Sequence, residues 1–386
     1  MLAVLSPGQG SQKPGFLAPW LALDGAESRL RSWSGLAGAD LVHLGTEADA
    51  DAIKDTARTQ PLLVAAALLA AAELPLDGID LVAGHSVGEL GAAAIAGVLT
   101  PETAVELAGV RGREMAAACA LEPTSMAAVL GGDEDEVLAA IADAGLYPAN
   151  RNGAGQIVAA GSVDALDKFV AAPPARARVI RLQVAGAFHT PYMAPAEEAL
   201  AAVAAGISPV DAHKILLSNL DGTAVNTGKG MLSRLVRQVT APVRWDLCMQ
   251  TLAHAGVTAI VELPPAGTLA GLAKRALKGV EIVTVNTPDD LPAARDLFAR
   301  HGVAPTGEPE LQFRVVVAGT AGNFIPADGL NEGAQLRTGQ IIGHITTRQG
   351  PVDVPAHGAG LLTEWLAHHD DPVAPGQPLA RIGGLL

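Results

Sequence analysis

The sequence is short of aromatic residues, of cysteine, of positive charge and of long apolar runs. Phe, Trp and Tyr make up 3% of the 386 residues, against 49% hydrophobic residues in all. A core of that size must be packed from Ala, Val and Leu. Cys119 and Cys248 are the only cysteines. Two thiols make no disulfide framework and these lack metal-ligand spacing, so both are expected as buried core thiols and no metal is expected. The longest apolar run, Leu62 to Ala72, stops at Glu73, well short of the roughly 17 to 25 residues that span a bilayer. It reads as a buried helix, and no membrane association is expected. The N-terminus lacks a basic stretch followed by an apolar one, which makes the cytoplasm the expected location. Lys and Arg number 26 against 40 Asp and Glu, a formal net charge of −14. Nucleic acid is therefore not an expected partner, since phosphate binding needs clustered cations. Lys274, Arg275 and Lys278, in "GLAKRALKG", are a local exception: either a solvated helix face or a surface for an acidic partner. After Lys278 the chain has no lysine at all.

What is present is periodic. From residue 1 to about 300, short β-type runs such as Leu2–Leu5, Leu81–Ala83 and Ala259–Glu262 alternate with Ala-rich helical stretches. That alternation predicts a parallel sheet covered by helices, an α/β core over 1–124 and 185–300. Between them, 125–184 holds "SMAAVLG", "QIVAAGS" and "ARVIRLQV" with helices near Glu134–Ala144 and Asp164–Ala171, a pattern that suits a ferredoxin-like α+β subdomain. "HGVAPTGEPE" reads as a linker over 301–311. The tail, 312–386, repeats itself: "TGQIIGHI" recurs as "PGQPLARI" 37 residues later. Two similar four-strand halves are expected to pack together as one small sandwich.

"GHSVGEL", Gly84 to Leu90, sets a serine between glycines after an apolar run and before a helix. This is the nucleophile-elbow arrangement, in which a tight turn exposes Ser86 and the Val87 N–H is placed for an oxyanion. The serine needs a base. His189, in "GAFHTP" at a strand's end before a proline, is the candidate; His85 shares the serine's turn and should point elsewhere. In the helix Pro101–Cys119, residues Ala104, Leu107, Ala108, Met115 and Ala118 form an apolar arc with Arg111 at its middle. A guanidinium there needs an anion, either a structural Asp or Glu or a carboxylate brought by the substrate. "SPGQGSQ" after the first strand has neither phosphate-loop nor dinucleotide spacing, and its N–H groups can supply a second oxyanion donor.

"GQGSQ", "GHSVGEL", "RG", "ANRNGAGQIVAAG", "GAFHTP", "QVTAPVRW" and "VELPPAGTLAGLAKR" occur in the order found in the malonyl-CoA:acyl carrier protein transacylase family. The chain resembles that family over roughly residues 1 to 300, which implies an α/β-hydrolase-like core. The resemblance implies Ser86 as acylated nucleophile, His189 as base, and the N–H groups of Gln9 and Val87 as oxyanion donors. It further implies Arg111 on the malonyl carboxylate, the Gln238 backbone carbonyl orienting His189, and Asn150, Asn152 and Phe188 lining the pocket. The implied reaction is ping-pong malonyl transfer from malonyl-CoA to an acyl carrier protein for fatty acid or polyketide synthesis, with no bound cofactor. Acyl carrier proteins are acidic, which suits Lys274, Arg275 and Lys278 as their docking patch.

The tail resembles the biotinyl/lipoyl carrier domain, with the attachment lysine's position falling on Gln349. Without any lysine past 278, neither biotin nor lipoate is expected, and the tail is expected to serve docking, to a protein partner or a second copy, or to be a relic. Two rival functions are weighed: a serine hydrolase or thioesterase, which needs an acid such as Asp164 or Asp167 behind the histidine, and a catalytically idle scaffold.

Overall fold

The computed structural model describes residues 1–302, 313–337, 339–348, 350–356 and 360–383. The chain divides into two compact units, Met1–Thr306 and Gly307–Leu386. Most of the expected linker, and Gln349, lie outside the described residues.

In the first unit, β1 (Leu2–Ser6) is followed by α1 (Ala26–Ala37), α2 (Leu41–Thr46) and α3 (Thr56–Ala71). The Asp55 side chain caps α3, and the apolar run Leu62–Ala71 is buried within it, as its composition predicts. Then come β2 (Leu81–Gly84), α4 (Gly88–Ile95) and α5 (Pro101–Cys119). α5 has the bounds read from sequence, started by the Thr100 side chain and by Pro101, whose missing N–H is harmless at a helix start. A small sheet region follows: β3 (Thr124–Gly131), α6 (Glu134–Asp143), β4 (Tyr147–Gly153), β5 (Gln156–Ser162), α7 (Val163–Ala171) and β6 (Ala177–Arg181). The chain then returns through α8 (Ala194–Ala204), β7 (Ile215–Leu216), α9 (Gly228–Arg237), β8 (Val243–Arg244), α10 (Trp245–His254), β9 (Ala259–Glu262), α11 (Thr268–Ala276), β10 (Glu281–Thr284) and α12 (Leu291–His301).

The large sheet is wholly parallel, in the order β10-β9-β1-β2-β7. Its central strands β9, β1 and β2 are buried along their whole length, so they are almost wholly apolar. Along β1, Leu2 and Val4 enter one core cluster while Ala3 and Leu5 enter the other. Along β9, Ala259 and Val261 join the first cluster and Ile260 the second. No helix among the described residues is long and apolar enough to cross a membrane.

The small sheet runs β6-β3-β5-β4-β8. Its pairs are antiparallel except β4 with β8, where Asn150 and Arg151 pair with Val243 and Arg244. Thus two residues from the returning chain complete the small sheet and fasten it to the core. The strand-like stretch "ARVIRLQV" runs to Val184, but the strand ends at Arg181. Beyond it the chain turns back to the core, where a Cβ on Gly186 would lie 2.4 Å from Cys119 Sγ.

Among the described residues the second unit holds eight strands: β11 (Phe313–Val317), β12 (Gly322–Pro326), β13 (Gln335–Leu336), β14 (Ile341–Thr347), β15 (Gly350–Pro355), β16 (Gly360–Trp365), β17 (Asp371–Val373) and β18 (Pro378–Gly383). They form two four-stranded sheets, β11-β18-β16-β13 and β15-β14-β12-β17. The 37-residue repeat carries β11–β14 onto β15–β18, and applied to the first sheet it yields the second. The sequence expects two halves packed together, and the sheets add how they do so: each takes two strands from each half. A half alone has no complete sheet, so neither can bury its apolar residues without the other. Phe324, Ile342, Leu362 and Leu379 are fully buried in the shared core.

Phe324→Ala should destabilise this unit by about 3–5 kcal/mol. Hydrogen exchange on the full chain should then show lost protection over residues 313–383 and unchanged protection over 2–302.

Candidate active site

The site lies at the carboxyl ends of β1, β2 and β7, where loops of an open parallel sheet gather. Ser86 follows β2 by two residues and has φ of 54°, in the left-handed region that an L side chain rarely adopts. Gly84 and Gly88 make the turn possible by their lack of side chain. A Cβ on Gly84 would come within 2.1 Å of Gly88 backbone, and one on Gly88 within 2.2 Å of Ser6 O. The strand, the turn and α4 are pressed together more tightly than any larger residue permits.

His189 also has a positive φ, 58°. Its Nε2 lies 2.7 Å from Ser86 Oγ, and its Nδ1 lies 2.8 Å from the Gln238 backbone oxygen. A carbonyl only accepts, so Nδ1 carries the proton and Nε2 accepts from the serine hydroxyl. Burial, with the Arg111 cation adding to it, holds the imidazole down at about 3. It is therefore neutral near pH 7, as a base must be. No carboxylate among the described residues bonds to it. Asp167, one acid considered for that place, pairs instead with Arg181 at 2.7 Å on the surface, and Asp164 makes no bond to His189 either.

Arg111 is buried at the centre of the α5 arc, whose other members are buried with it. Its Nη1 donates to Gln60 Oε1 at 2.6 Å, and its Nη2 donates to Gln238 Oε1 at 2.8 Å. Nη2 also reaches to 3.4 Å from Ser86 Oγ. Of the two anions open to it, no Asp or Glu forms an ion pair with Arg111 among the described residues. Its direct partners are neutral amides. Burial lowers its pKa to about 10, with Glu89 acting against that, so the cation persists. Ser86, Arg111, Leu90, Leu107, Leu200 and Leu232 are among the walls of a cavity of about 10 Å³, close to the volume of one water.

The Ser86 N–H is already engaged, donating to Asn219 Oδ1 at 2.7 Å. The Val87 N–H at the start of α4 has no acceptor among the described residues, nor has that of Gln9. The Gln9 loop lies against the serine's turn, since a Cβ on Gly8 would sit 2.8 Å from His85 O. His85 points away from the hydroxyl, as expected, with Nε2 3.0 Å from Asn152 Oδ1 and its ring edge-on to Trp245. Asn150 Oδ1 is buried without a partner. Phe188 is buried in the core cluster beside His189 and is not part of the cavity wall that holds Ser86 and Arg111. Lys274, Arg275 and Lys278 are all exposed, the first two in the last turn of α11 and Lys278 beyond its end. Buried Glu262 caps α11 by accepting from Gly267, Leu269 and Ala270 N–H groups. The helix begins beside the glycine loop, with Thr268 Oγ1 bonded to Ser11 Oγ.

Three residues of the site escaped the sequence reading. Gln60, Glu89 and Asn219 are fully buried, and Gln60 and Asn219 meet the site across long chain separations. Glu89 stands within the motif itself, which was the one available signal.

A family model for the acyl transferase domain matches residues 5–293. The malonyl CoA-acyl carrier protein transacylase of Mycobacterium tuberculosis is 57% identical over 296 residues, covering 75% of this chain and 98% of that protein. The crystal structure of MCAT from the same organism superposes with a TM-score of 0.75 at 56% identity, over 76% of this chain and 99% of that one. A malonyl-transacylase in complex with its type II PKS acyl-carrier protein aligns with a TM-score of 0.71 at 30% identity, over 76% of this chain and 99% of that one. All these matches cover about three quarters of the chain. The chain thus belongs to the malonyl CoA-acyl carrier protein transacylase family.

Proposed function

We propose that this enzyme transfers the malonyl group of malonyl-CoA to the phosphopantetheine thiol of an acyl carrier protein. The observation that carries this reading is the buried Arg111 guanidinium, paired with no carboxylate among the described residues, with Nη2 3.4 Å from Ser86 Oγ. A cation so placed favours an acyl group that ends in a carboxylate.

Ser86 attacks the thioester carbonyl while His189 Nε2 takes its proton. The Gln238 carbonyl keeps the imidazole in the tautomer that permits this. The Val87 and Gln9 N–H groups face the developing oxyanion. Collapse of the tetrahedral adduct expels the CoA thiolate, which His189 protonates, leaving malonyl-Ser86. The carrier thiol then attacks that ester, giving up its proton to His189, and the serine leaves protonated. Asn150 and Asn152 line the small sheet's side of the cleft, and Phe188, next to His189 in the chain, leaves less room for a branched acyl group. That narrowing is a preference of about 1–3 kcal/mol per methyl. A hydrolase reading lacks a carboxylate behind His189 and gives Arg111 no task. A scaffold reading leaves the serine, base and guanidinium in working order for no purpose.

Exposed Lys274, Arg275 and Lys278, at the end of a helix that starts beside the Gln9 loop, suit docking of an acidic carrier protein. The fold assignments that support this reading are an α/β-hydrolase-like core over 1–124 and 185–300 and a ferredoxin-like subdomain over 125–184. The tail, 312–386, is best read as a biotinyl/lipoyl-like sandwich. With no lysine after Lys278, it takes neither biotin nor lipoate and acts in docking to a protein partner or a second copy. The expected location is the cytoplasm.

Intact-mass analysis after mixing with malonyl-CoA should find one malonyl adduct on Ser86, absent in Ser86→Ala; no adduct on the wild type would sink the transfer reading. Arg111→Ala should lower kcat/KM for malonyl-CoA about tenfold to a hundredfold more than for acetyl-CoA, and equal losses would remove its carboxylate role. The base must be neutral to work, so its lowered pKa moves the acid limb of Ser86 acylation down. For acetyl-CoA that limb should lie well below the ordinary histidine value of 6.5. Arg111→Gln should move it upward, because loss of the cation lets the imidazole protonate more readily. A wild-type limb at 6.5 or above would contradict this assignment.

A further inference from the structure

Among the described residues two acids are buried, Glu262, which caps α11, and Glu89, which has no part in the chemistry above. Glu89, three residues past the nucleophile on α4, is fully buried. Its Oε1 accepts from the Asn219 backbone N–H at 2.7 Å and its Oε2 accepts from Gln238 Nε2. Burial raises its pKa, but N–H donors on both oxygens and the Arg111 and Arg234 cations favour the charged form, and the carboxylate is the form that fits this geometry. With both oxygens accepting, Glu89 presents an acceptor face to Gln238.

Gln238 does two separate things. Its backbone oxygen orients His189, and its side-chain amide lies between Glu89 and Arg111. The two ends of a primary amide are nearly the same in shape, so only its partners decide which way round it sits. Here Nε2 donates to Glu89 Oε2 and to Ser86 O at 3.1 Å. That leaves Oε1 facing Arg111, where it accepts from Nη2 at 2.8 Å. The same Nη2 is the one nearest Ser86 Oγ. Were the amide reversed, an NH2 group would oppose the guanidinium and two donors would meet.

We propose that Glu89 is a positioning residue that fixes the polarity of the Gln238 side-chain amide and so aims Arg111 at the free carboxylate of the acyl substrate. This rests on the malonyl-transfer reading. It explains why a carboxylate, and not an amide, stands at position 89. A glutamine there has one acceptor, which the immovable Asn219 N–H claims. Its NH2 then faces Gln238, which turns its oxygen to meet it and its own NH2 to Arg111. His189 keeps its bond to the Gln238 backbone, so damage falls on carboxylate recognition rather than on acyl transfer as such.

The test is steady-state kinetics of Glu89→Gln with malonyl-CoA and with acetyl-CoA, each with the same carrier protein. The expected result is a malonyl KM raised at least about tenfold with a much smaller change in kcat, and acetyl transfer within about threefold of wild type. Gln238→Leu, which keeps the backbone oxygen on His189, should lose the same malonyl preference. The double variant should lose no more than either single one, because both act through one amide. An unchanged malonyl-to-acetyl ratio in Glu89→Gln, equal losses on both substrates, or additive losses in the double variant would overturn the proposal. If Glu89→Gln does not fold, Gln238→Leu alone decides, and a wild-type ratio there overturns it. Failure of wild-type Ser86 to take malonyl defeats the transfer reading; normal loading with an unaltered variant ratio defeats this inference alone.

Discussion

The first unit is arranged around a buried cation. A guanidinium removed from water is destabilising unless its hydrogen bonds are met and its charge is answered. Arg111 is given the hydrogen bonds but not the direct counter-charge. Gln60 comes from α3, Gln238 follows α9, and the hydroxyl of Ser86 closes the ring. Glu89 is reached only through the Gln238 amide. The charge is thus tolerated in the resting enzyme, and in the function proposed above an arriving carboxylate is what answers it. The same cation depresses His189, so in that proposal one residue serves both recognition and the readiness of the base.

Holding serine, base and cation within hydrogen-bond reach requires backbone that the surroundings impose. Ser86 and His189 both sit at positive φ, conformations that persist only where neighbouring structure over-determines them. Around Ser86 the restraint is close packing of Gly84 and Gly88, together with Asn219, which accepts from the serine N–H and donates to Gly84 O. Around His189 it is the Gln238 carbonyl and the Thr190 hydroxyl bonded to Ala187 O. A polar lattice under the site converts two unfavourable turns into fixed geometry.

That lattice marks the boundary of what could be read from the sequence. Ser86, His189 and Arg111 were legible because each breaks a local pattern: a serine among turn glycines, a histidine before a helix-starting proline, a charge on an apolar arc. Helix α5 and the buried run in α3 were legible for the same reason, as long periodic segments. Gln60, Glu89 and Asn219 break no local pattern. Glu89 and Asn219 are 130 residues apart in the chain and meet only in the fold. Strand β8 was illegible on other grounds: two residues carry no period, and their pairing with Asn150 and Arg151 depends on the returning chain.

The second unit separates what a repeat encodes from what it leaves open. Spacing of 37 residues and matched apolar positions such as Leu336 with Val373, or Ile345 with Ile382, reveal eight strands in two equivalent sets. They do not reveal which sheet each strand joins, because facing halves and interleaved halves bury the same residues. The interleaved answer has a physical advantage. When each sheet draws on both halves, backbone hydrogen bonds as well as apolar contacts join them, as β11 with β18 and β12 with β17 do. Neither half can then detach without opening strand edges to solvent.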